Sequence, residues 1–297
     1  MGWEIVKTLV YGISLMRDEK DILEYQLKNC LQNKLDGLII SDIMSQDGSR
    51  DILEKWKPVF ASEGVDYIVI DEKQFGYFQA IKFNGMAQLA HERVSTLHKS
   101  ERRLMINAFD CDEFWICPVR PLGDFLRENP VDFWWTTMRT MICTSKDDIK
   151  ETNPTKRIRY RMKSQDPRNE ISPVKVIYTW GPQVWLELGA HRTRMADMDT
   201  MREDGGRRGK VNHHIAAKES EIVFRHYAVR SVEQYISKVR NNAAAMQANP
   251  DMLKSSANRH SVERGKLTDD QLKADFLKSH FEDNIKNLKY DPWEITL

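Results

Sequence analysis

Leu104-Met105-Ile106-Asn107-Ala108-Phe109-Asp110-Cys111-Asp112-Glu113-Phe114-Trp115 is the stretch whose reading decides the fold. Its first half, Leu104 to Phe109, is a short apolar run of the kind that forms a buried strand. The run stops at three carboxylates within four residues: Asp110, Asp112 and Glu113. Alternate residues of an extended chain point the same way, so Asp110 and Asp112 are expected to converge on one point. No lysine or arginine stands beside them in sequence, so the two repel each other unless a cation lies between them. Oxygen ligation of this kind suits Mg²⁺ or Mn²⁺, which bind one or two carboxylates plus substrate phosphates. Taken alone, so short a pattern more often marks an acidic surface turn. Phe114 and Trp115 directly behind it favour a walled site.

Upstream, three more apolar segments end in the same way. Residues 5–16 read as a strand followed by Asp18, Leu38 to Ser41 as a strand closed by Asp42, and Tyr67 to Ile70 as one closed by Asp71. Between them lie helical patterns. One carries Leu23, Leu27, Cys30 and Leu31 on one face, with Asp18 as N-cap. A second runs from about Ser49 and is expected to end before Pro58. The third spans about Phe78 to Leu97. This β-α-β-α-β-α-β order with continuously apolar strands predicts a parallel sheet covered on both faces. Ligands of such sheets bind beyond the carboxyl ends of the strands. Four acidic termini in register there form a rim suited to cations and hydroxyls. No GxGxxG or GxxxxGK[ST] motif occurs, which leaves a nicotinamide site or a P-loop without support.

Downstream the pattern changes. Phe133 to Met138 reads as a strand antiparallel to its neighbours, and Val174 to Tyr178 as another. Trp134 and Trp135 are either core residues or a stacking wall for a sugar or base. Lys156, Arg157, Arg159, Arg161 and Lys163 alternate so that an extended chain would place four cations on one face, ready to meet phosphates or merely guarding a sheet edge. Residues 202–212, with Gly205, Gly206 and Gly209, have the length and composition of a lid. Ser231-x-x-Gln234 and Thr268-x-x-Gln271 are capping boxes that open helices. The division implied is a catalytic domain at 1–230 and a helical extension at 231–297 packed on it.

At 297 residues, 41% hydrophobic and 30% charged, the composition is that of an ordinary soluble protein. No apolar run approaches the roughly 20 residues that span a bilayer, and the N-terminus does not read as a secretory signal. Cys30, Cys111, Cys117 and Cys143 show no CxxC pairing, which fits reduced thiols in the cytoplasm. The net charge is +1, but 13 Lys/Arg against 8 Asp/Glu between Glu151 and Ile215 leave that segment at +5.

These residues resemble the family-2-like glycosyltransferases of GT-A fold, a Rossmann-like α/β arrangement. Met16-Arg17-Asp18-Glu19 is similar to the family's Arg-Asn-Glu start, with Asp in place of Asn. Asp42 with Ser45-Gln46-Asp47-Gly48-Ser49 resembles its second-strand signature, and Asp110-Cys111-Asp112-Glu113-Phe114 its Asp-x-Asp-Glu-Phe element. Lys175-Val176-Ile177, Gly189-Ala190-His191-Arg192 and His226-Tyr227 with Ser231 resemble later landmarks in the same order. The similarity covers about residues 8 to 240. The segment after Thr144 and the C-terminal helices depart from it.

The resemblance implies transfer of a sugar from a nucleotide donor, a UDP-sugar above all, to a hydroxyl. Mn²⁺ or Mg²⁺ would be held by Asp110 and Asp112, with His226 completing the shell. Arg17, Asp18, Asp42, Asp71, Asp110, Trp134, His191 and Arg192 are the expected donor contacts. An inverting reaction needs a carboxylate base; Glu187 is the first candidate, with Glu113 and Asp197 competing. The acceptor would be a glycan or, through the basic segment, DNA or RNA. Two other readings stand beside this one: a nucleotidyltransferase using the same metal–diphosphate chemistry, and a noncatalytic nucleic-acid-binding protein built on residues 156–163. A DxDxT phosphatase is disfavoured because position 114 is Phe.

Overall fold

The structure is a computed structural model; it describes residues 7–76, 78–98, 102–163, 174–187, 193–195, 214–216, 222–282 and 285–297. The first half alternates as expected: β1 (Lys7–Met16), α1 (Lys20–Gln32), β2 (Gly37–Asp42), α2 (Ser49–Ser62), β3 (Asp66–Asp71), α3 (Gln79–Leu97) and β4 (Arg102–Asp110). These strands pair in parallel in the order β3-β2-β1-β4. β1 shows why its sequence is almost wholly apolar. Leu9, Tyr11, Ile13 and Leu15 face one core with Phe83, Met86 and Ala90 of α3, whereas Val10 and Met16 face the other with Leu23 and Leu27 of α1. Helices thus cover both faces, and a strand between them has no solvated side.

β5 (Glu113–Ile116), α4 (Leu122–Glu128), β6 (Phe133–Ile142), α5 (Pro154–Arg157), β7 (Tyr160–Met162) and β8 (Val174–Thr179) follow. Then come β9 (Val184–Leu186), β10 (Thr193–Met195), β11 (His214–Ala216) and β12 (Val223–His226). The chain closes with α6 (Val232–Gln247), α7 (Ser256–Arg264), α8 (Asp269–Ser279) and β13 (Leu288–Tyr290). β8 runs antiparallel to β4, and β6 antiparallel to β8. β6 is therefore antiparallel to β7 and β8 but parallel to β11 and β12, which corrects the expectation that it opposes its neighbours generally. The fold is mixed α/β: a mostly parallel half extended by antiparallel strands, with helices at the C-terminal end.

Three local expectations change. α2 continues through Pro58 to Ser62, because Leu53, Trp56 and Phe60 bury one stripe and that packing outweighs the single backbone bond a proline removes. Glu19 rather than Asp18 is the N-cap of α1. The basic segment does not form one extended face: Lys156 and Arg157 lie in α5, and only Tyr160–Met162 is a strand. Its cations are engaged by groups of this chain, although Lys156, Arg159 and Lys163 stay exposed. Arg157 donates to the carbonyl oxygens of Glu151 at 3.1 Å and Arg230 at 2.8 Å. Arg161 pairs with Asp291 at 3.0 Å, and Lys163 donates to the Lys286 carbonyl.

The C-terminal residues are part of the same sheet. β13 pairs with β7. The next residue, Asp291, receives three guanidinium groups: Arg139 at 3.1 Å, Arg161 at 3.0 Å and Arg225 at 2.6 Å. Trp293 then packs edge-on against Phe114, ring centres 5.4 Å apart, directly behind the acidic turn. Among the described residues, no helix is long and apolar enough to cross a membrane.

Candidate active site

The site begins where β1 and β2 end, with two loops locked together. Three consecutive backbone amides after β1 are received by three side chains after β2. Asp18 N–H donates to Ser45 Oγ at 3.0 Å, Glu19 N–H to Ser49 Oγ at 3.1 Å, and Lys20 N–H to Asp47 Oδ2 at 2.9 Å. The exposed amides at the start of α1, which a helix leaves without internal partners, are satisfied in this way. Gly48 sits at φ +94°, a conformation that favours glycine. Asp18 adopts φ +52°, and its carboxylate accepts from Gln46 N–H at 2.7 Å and from the Asn241 amide of α6 at 2.8 Å.

Four residues downstream of Ile106 the chain turns. Asp110 is the last residue of β4, Cys111 and Asp112 form a turn, and Glu113 opens β5. Asp110 and Asp112 are therefore not alternate members of one strand, and their environments differ. The Asp110 side chain is one-third exposed, whereas those of Asp112 and Glu113 are 2% exposed. β5 is held by α1 through buried amides: Gln26 donates to the Glu113 carbonyl at 2.6 Å, and Asn33 to the Trp115 carbonyl at 2.9 Å. On its other edge β12 pairs antiparallel with it, His226 opposite Glu113.

Each buried carboxylate has a cation. Lys175, 1% exposed near the start of β8, lies 2.7 Å from Glu113 and 3.4 Å from Asp110. Asp112 turns Oδ1 toward His226 Nε2 at 3.4 Å, and Oδ2 toward Lys238, which donates to it, and Arg230 at 3.7 Å. Arg230 is fully buried and also holds Asp21 at 2.7 Å and Glu19. Burial opposes the charged form of Asp112, but Lys238, His226 and Arg230 outweigh it and hold its carboxyl well below the usual range. Glu113 goes the other way: burial lifts it to about 7 against the pull of Lys175. Burial favours neutral His226, yet the attraction of Asp112 wins and its pKa is raised. Asp112, Glu113 and His226 bring one ligand atom each to within 4.8 Å of one another.

Beside this cluster opens a cavity of about 370 Å³. Met16, Ile43, Phe75 and Phe78 line it together with Asp110, Asp112, His226 and Lys238. Arg17 lies there too, its guanidinium carbon 4.4 Å from the centre of the Phe75 ring and its Nε 3.4 Å from Asp18 Oδ2. The α6 face adds Asn241 and Asn242.

Of the candidates from sequence, the fold brings Arg17, Asp18, Asp110, Asp112 and His226 to this cavity, with Glu113 immediately behind it. The others lie elsewhere. Asp42 is 3% exposed, accepts from Ser45 N–H at 3.1 Å, and does not line the cavity. Asp71 is surface-exposed beside Lys73. Trp134 is a core residue against Phe125, donating to the Asn129 carbonyl, so it forms no stacking wall. Glu187 follows β9, whose Leu186 is bound through both backbone groups to Asn84 of α3, and is not among the residues lining the cavity. His191, Arg192, Asp197 and the glycine-rich loop at 202–212 lie outside the described residues. The residues that pattern-reading missed are the cations Lys175, Arg230 and Lys238. A signal existed for two of them: Lys175 interrupts an apolar strand, and Lys238 falls on the half-buried stripe of α6 between Tyr235 and Asn242.

No family model matches the chain, and no curated protein does. Among solved structures it is similar to the mannosyltransferase PcManGT from Pyrobaculum calidifontis in complex with GDP-Man and Mn²⁺. That match has 12% identity and a TM-score of 0.37, covering 94% of this chain and 78% of the other. A second similarity is to a Bacillus anthracis protein assigned as a glucose-1-phosphate thymidylyltransferase, in complex with sucrose. It has 11% identity and a TM-score of 0.31, covering 93% of this chain and 86% of that one. At these values neither similarity transfers a residue or a reaction to this chain, whose function must be read from the cavity itself.

Proposed function

We propose that the chain is a glycosyltransferase that binds a nucleotide-sugar donor in the cavity at the carboxyl ends of β1 and β4. The observation that carries this is the cavity's mixed lining: aromatic and apolar Phe75, Phe78 and Ile43 together with charged Asp110, Asp112, His226 and Lys238. The former suit a base and the latter a metal-bound diphosphate. Carboxylates with one imidazole, donor atoms within 4.8 Å, fit Mn²⁺ or Mg²⁺ in chemistry and spacing. The ligand set we favour is Asp112, Glu113 and His226, with Glu113 in the place expected for Asp110. The ion, when bound, supplies Lewis acidity toward the leaving diphosphate. The protein's part is electrostatic and positional. Arg17 and Lys238 meet the developing negative charge, and the Arg230 network holds Asp112 ionised and in place.

A wider groove of about 820 Å³ shares Asp18, Gln234 and Ser237 with the cavity and suits the acceptor. Its charged lining is Asp18, Asp21, Glu24, Asp47 and Glu233 against Lys20 and Arg157. Such a surface accepts hydroxyl donors and repels a phosphate backbone, which favours a glycan over DNA or RNA. The internal use of Arg157, Arg161 and Lys163 points the same way.

The test is incubation with a panel of nucleotide sugars and, separately, nucleoside triphosphates plus sugar 1-phosphates, each with and without Mn²⁺. Release of nucleoside diphosphate supports the glycosyltransferase; release of pyrophosphate would identify a nucleotidyltransferase. Neither product, together with no binding of any nucleoside diphosphate, would overturn the reading.

A further inference from the structure

We propose that Lys238 is a donor-binding residue, its ammonium taking a phosphate of a nucleoside diphosphate, so that this ligand binds even when no divalent ion is present. The proposal rests on the reading of the cavity given above. Among the described residues, three lysine or arginine side chains surround the acidic turn, and of these three only Lys238 both touches the turn and reaches the cavity. Lys175 is 1% exposed and Arg230 0%, whereas Lys238 keeps 29% of its side chain exposed and lines the cavity wall. Lys175 and Arg230 neutralise the carboxylates from behind.

The position of Lys238 is fixed rather than adaptable. Its Nζ donates to Asp112 Oδ2 and, at 3.1 Å, to the carbonyl oxygen of Ala228. An ammonium has three protons, so two are committed to the protein and one is left for a ligand. Asp112 divides its two oxygens. Oδ1 faces His226, on the side where the metal donors gather, and Oδ2 faces Lys238 and Arg230. The ammonium and a divalent ion therefore flank Asp112 on different oxygens and do not exclude each other. Both cations then address the same diphosphate. A tethered ammonium on α6 carries no concentration requirement, unlike a diffusible ion.

Arg17 lines the same cavity, stacked on Phe75 with its Nε 3.4 Å from Asp18 Oδ2. Lys238 and Arg17 thus both present positive charge to the space, and Asn242 lies on the same wall.

Calorimetric titration of UDP and of GDP into the full chain, in EDTA and again in Mn²⁺, tests this with no need for turnover. The wild type is expected to bind at least one of them in EDTA. Lys238→Ala should weaken that binding about 10- to 100-fold, the usual effect of removing one charge-assisted hydrogen bond. Lys238→Arg should retain most of it, and Lys266→Ala, an exposed lysine paired with Glu263, should change nothing. Wild-type binding that appears only with Mn²⁺ overturns the role of Lys238 while leaving the cavity reading intact. Equal affinity of folded Lys238→Ala and wild type in EDTA overturns it as well. Absence of binding under both conditions overturns the cavity reading itself. Should Lys238→Ala fail to fold by circular dichroism, the wild-type comparison between EDTA and Mn²⁺ decides alone.

Discussion

Residues 7–116 and residues 174–241 bring opposite charges to the same place. The parallel half ends its strands in carboxylates and supplies Asp18, Glu19, Asp110, Asp112 and Glu113. The later half supplies Lys175 from β8, His226 from β12, Arg230 from the following loop and Lys238 from α6. The pairs that result are separated by 65, 126 and 209 residues. Either half alone would be electrostatically unstable at this point: one a knot of buried acids, the other buried cations with no partner. A buried ion pair is weak evidence for net stability, but breaking one is costly because a lone charge stays behind. The site is therefore also a checkpoint on whether the two halves have docked.

The largest effect should come from Arg230→Met, which leaves Glu19, Asp21 and Asp112 facing one another without their shared guanidinium. A loss of about 3–5 kcal/mol in urea unfolding is expected; less than 1 kcal/mol would mean that the halves do not depend on the charge match.

Lys175→Met should cost nearly as much by stranding Glu113. Adding Glu113→Gln should return most of the loss, because the pair rather than either member is what the core tolerates. Equal stability of the single and double variants would break the comparison at β8.

The proposed metal ligands sharpen it through pH. Burial raises Glu113 to about 7 and the neighbouring Asp112 raises His226, and each must be free of its proton before Mn²⁺ binds. Mn²⁺ affinity measured by paramagnetic resonance should therefore rise with pH, by one to two logarithmic units per pH unit below about 7. A flat profile between about pH 6 and 8 would remove these residues from the metal site.

The smallest effect belongs to Arg159→Ala. Its side chain is exposed and its Nε donates only to the nearby Lys156 carbonyl at 2.8 Å. Stability should stay within about 0.5 kcal/mol of wild type, and gel retardation of DNA or RNA at low salt should be absent before and after the change. Retardation abolished by the substitution would revive the basic segment as a nucleic-acid surface.

The halves also differed in how openly they could be read. In β1 to β4 the strands are continuous apolar runs with an acid at the end, a local signal. The Thr268 capping box formed as written, with both reciprocal bonds present. The Ser231 box formed by half: Ser231 Oγ accepts from Gln234 N–H, but Gln234 Oε1 accepts from the backbone N–H of Arg230 instead of that of Ser231. What could not be read locally was every partner brought by tertiary closure. Gln26, Asn29 and Asn33 sit on the buried side of α1 because they bind the backbone of β5, which no helical periodicity reveals. Asp110 and Asp112 look equivalent in sequence; the turn at Cys111 gives them different surroundings, and β12 sets His226 opposite Glu113, so that Asp112, Glu113 and His226 bring donor atoms within 4.8 Å of one another. Alternation likewise misled at the basic segment, because it presumed a strand where α5 forms.

Asp291 and Trp293, which brace the acidic turn from behind, carry a consequence for biogenesis. Phe114 is synthesised about 180 residues before them, a delay on the order of 10–40 s at the usual pace of about 5–20 residues per second. In the first part of that interval the acidic turn lacks its cations Lys175, Arg230 and Lys238, and until its end it lacks its rear wall. Nascent chains arrested before Asp291 should therefore be more open to protease at residues 110–116 than released chains.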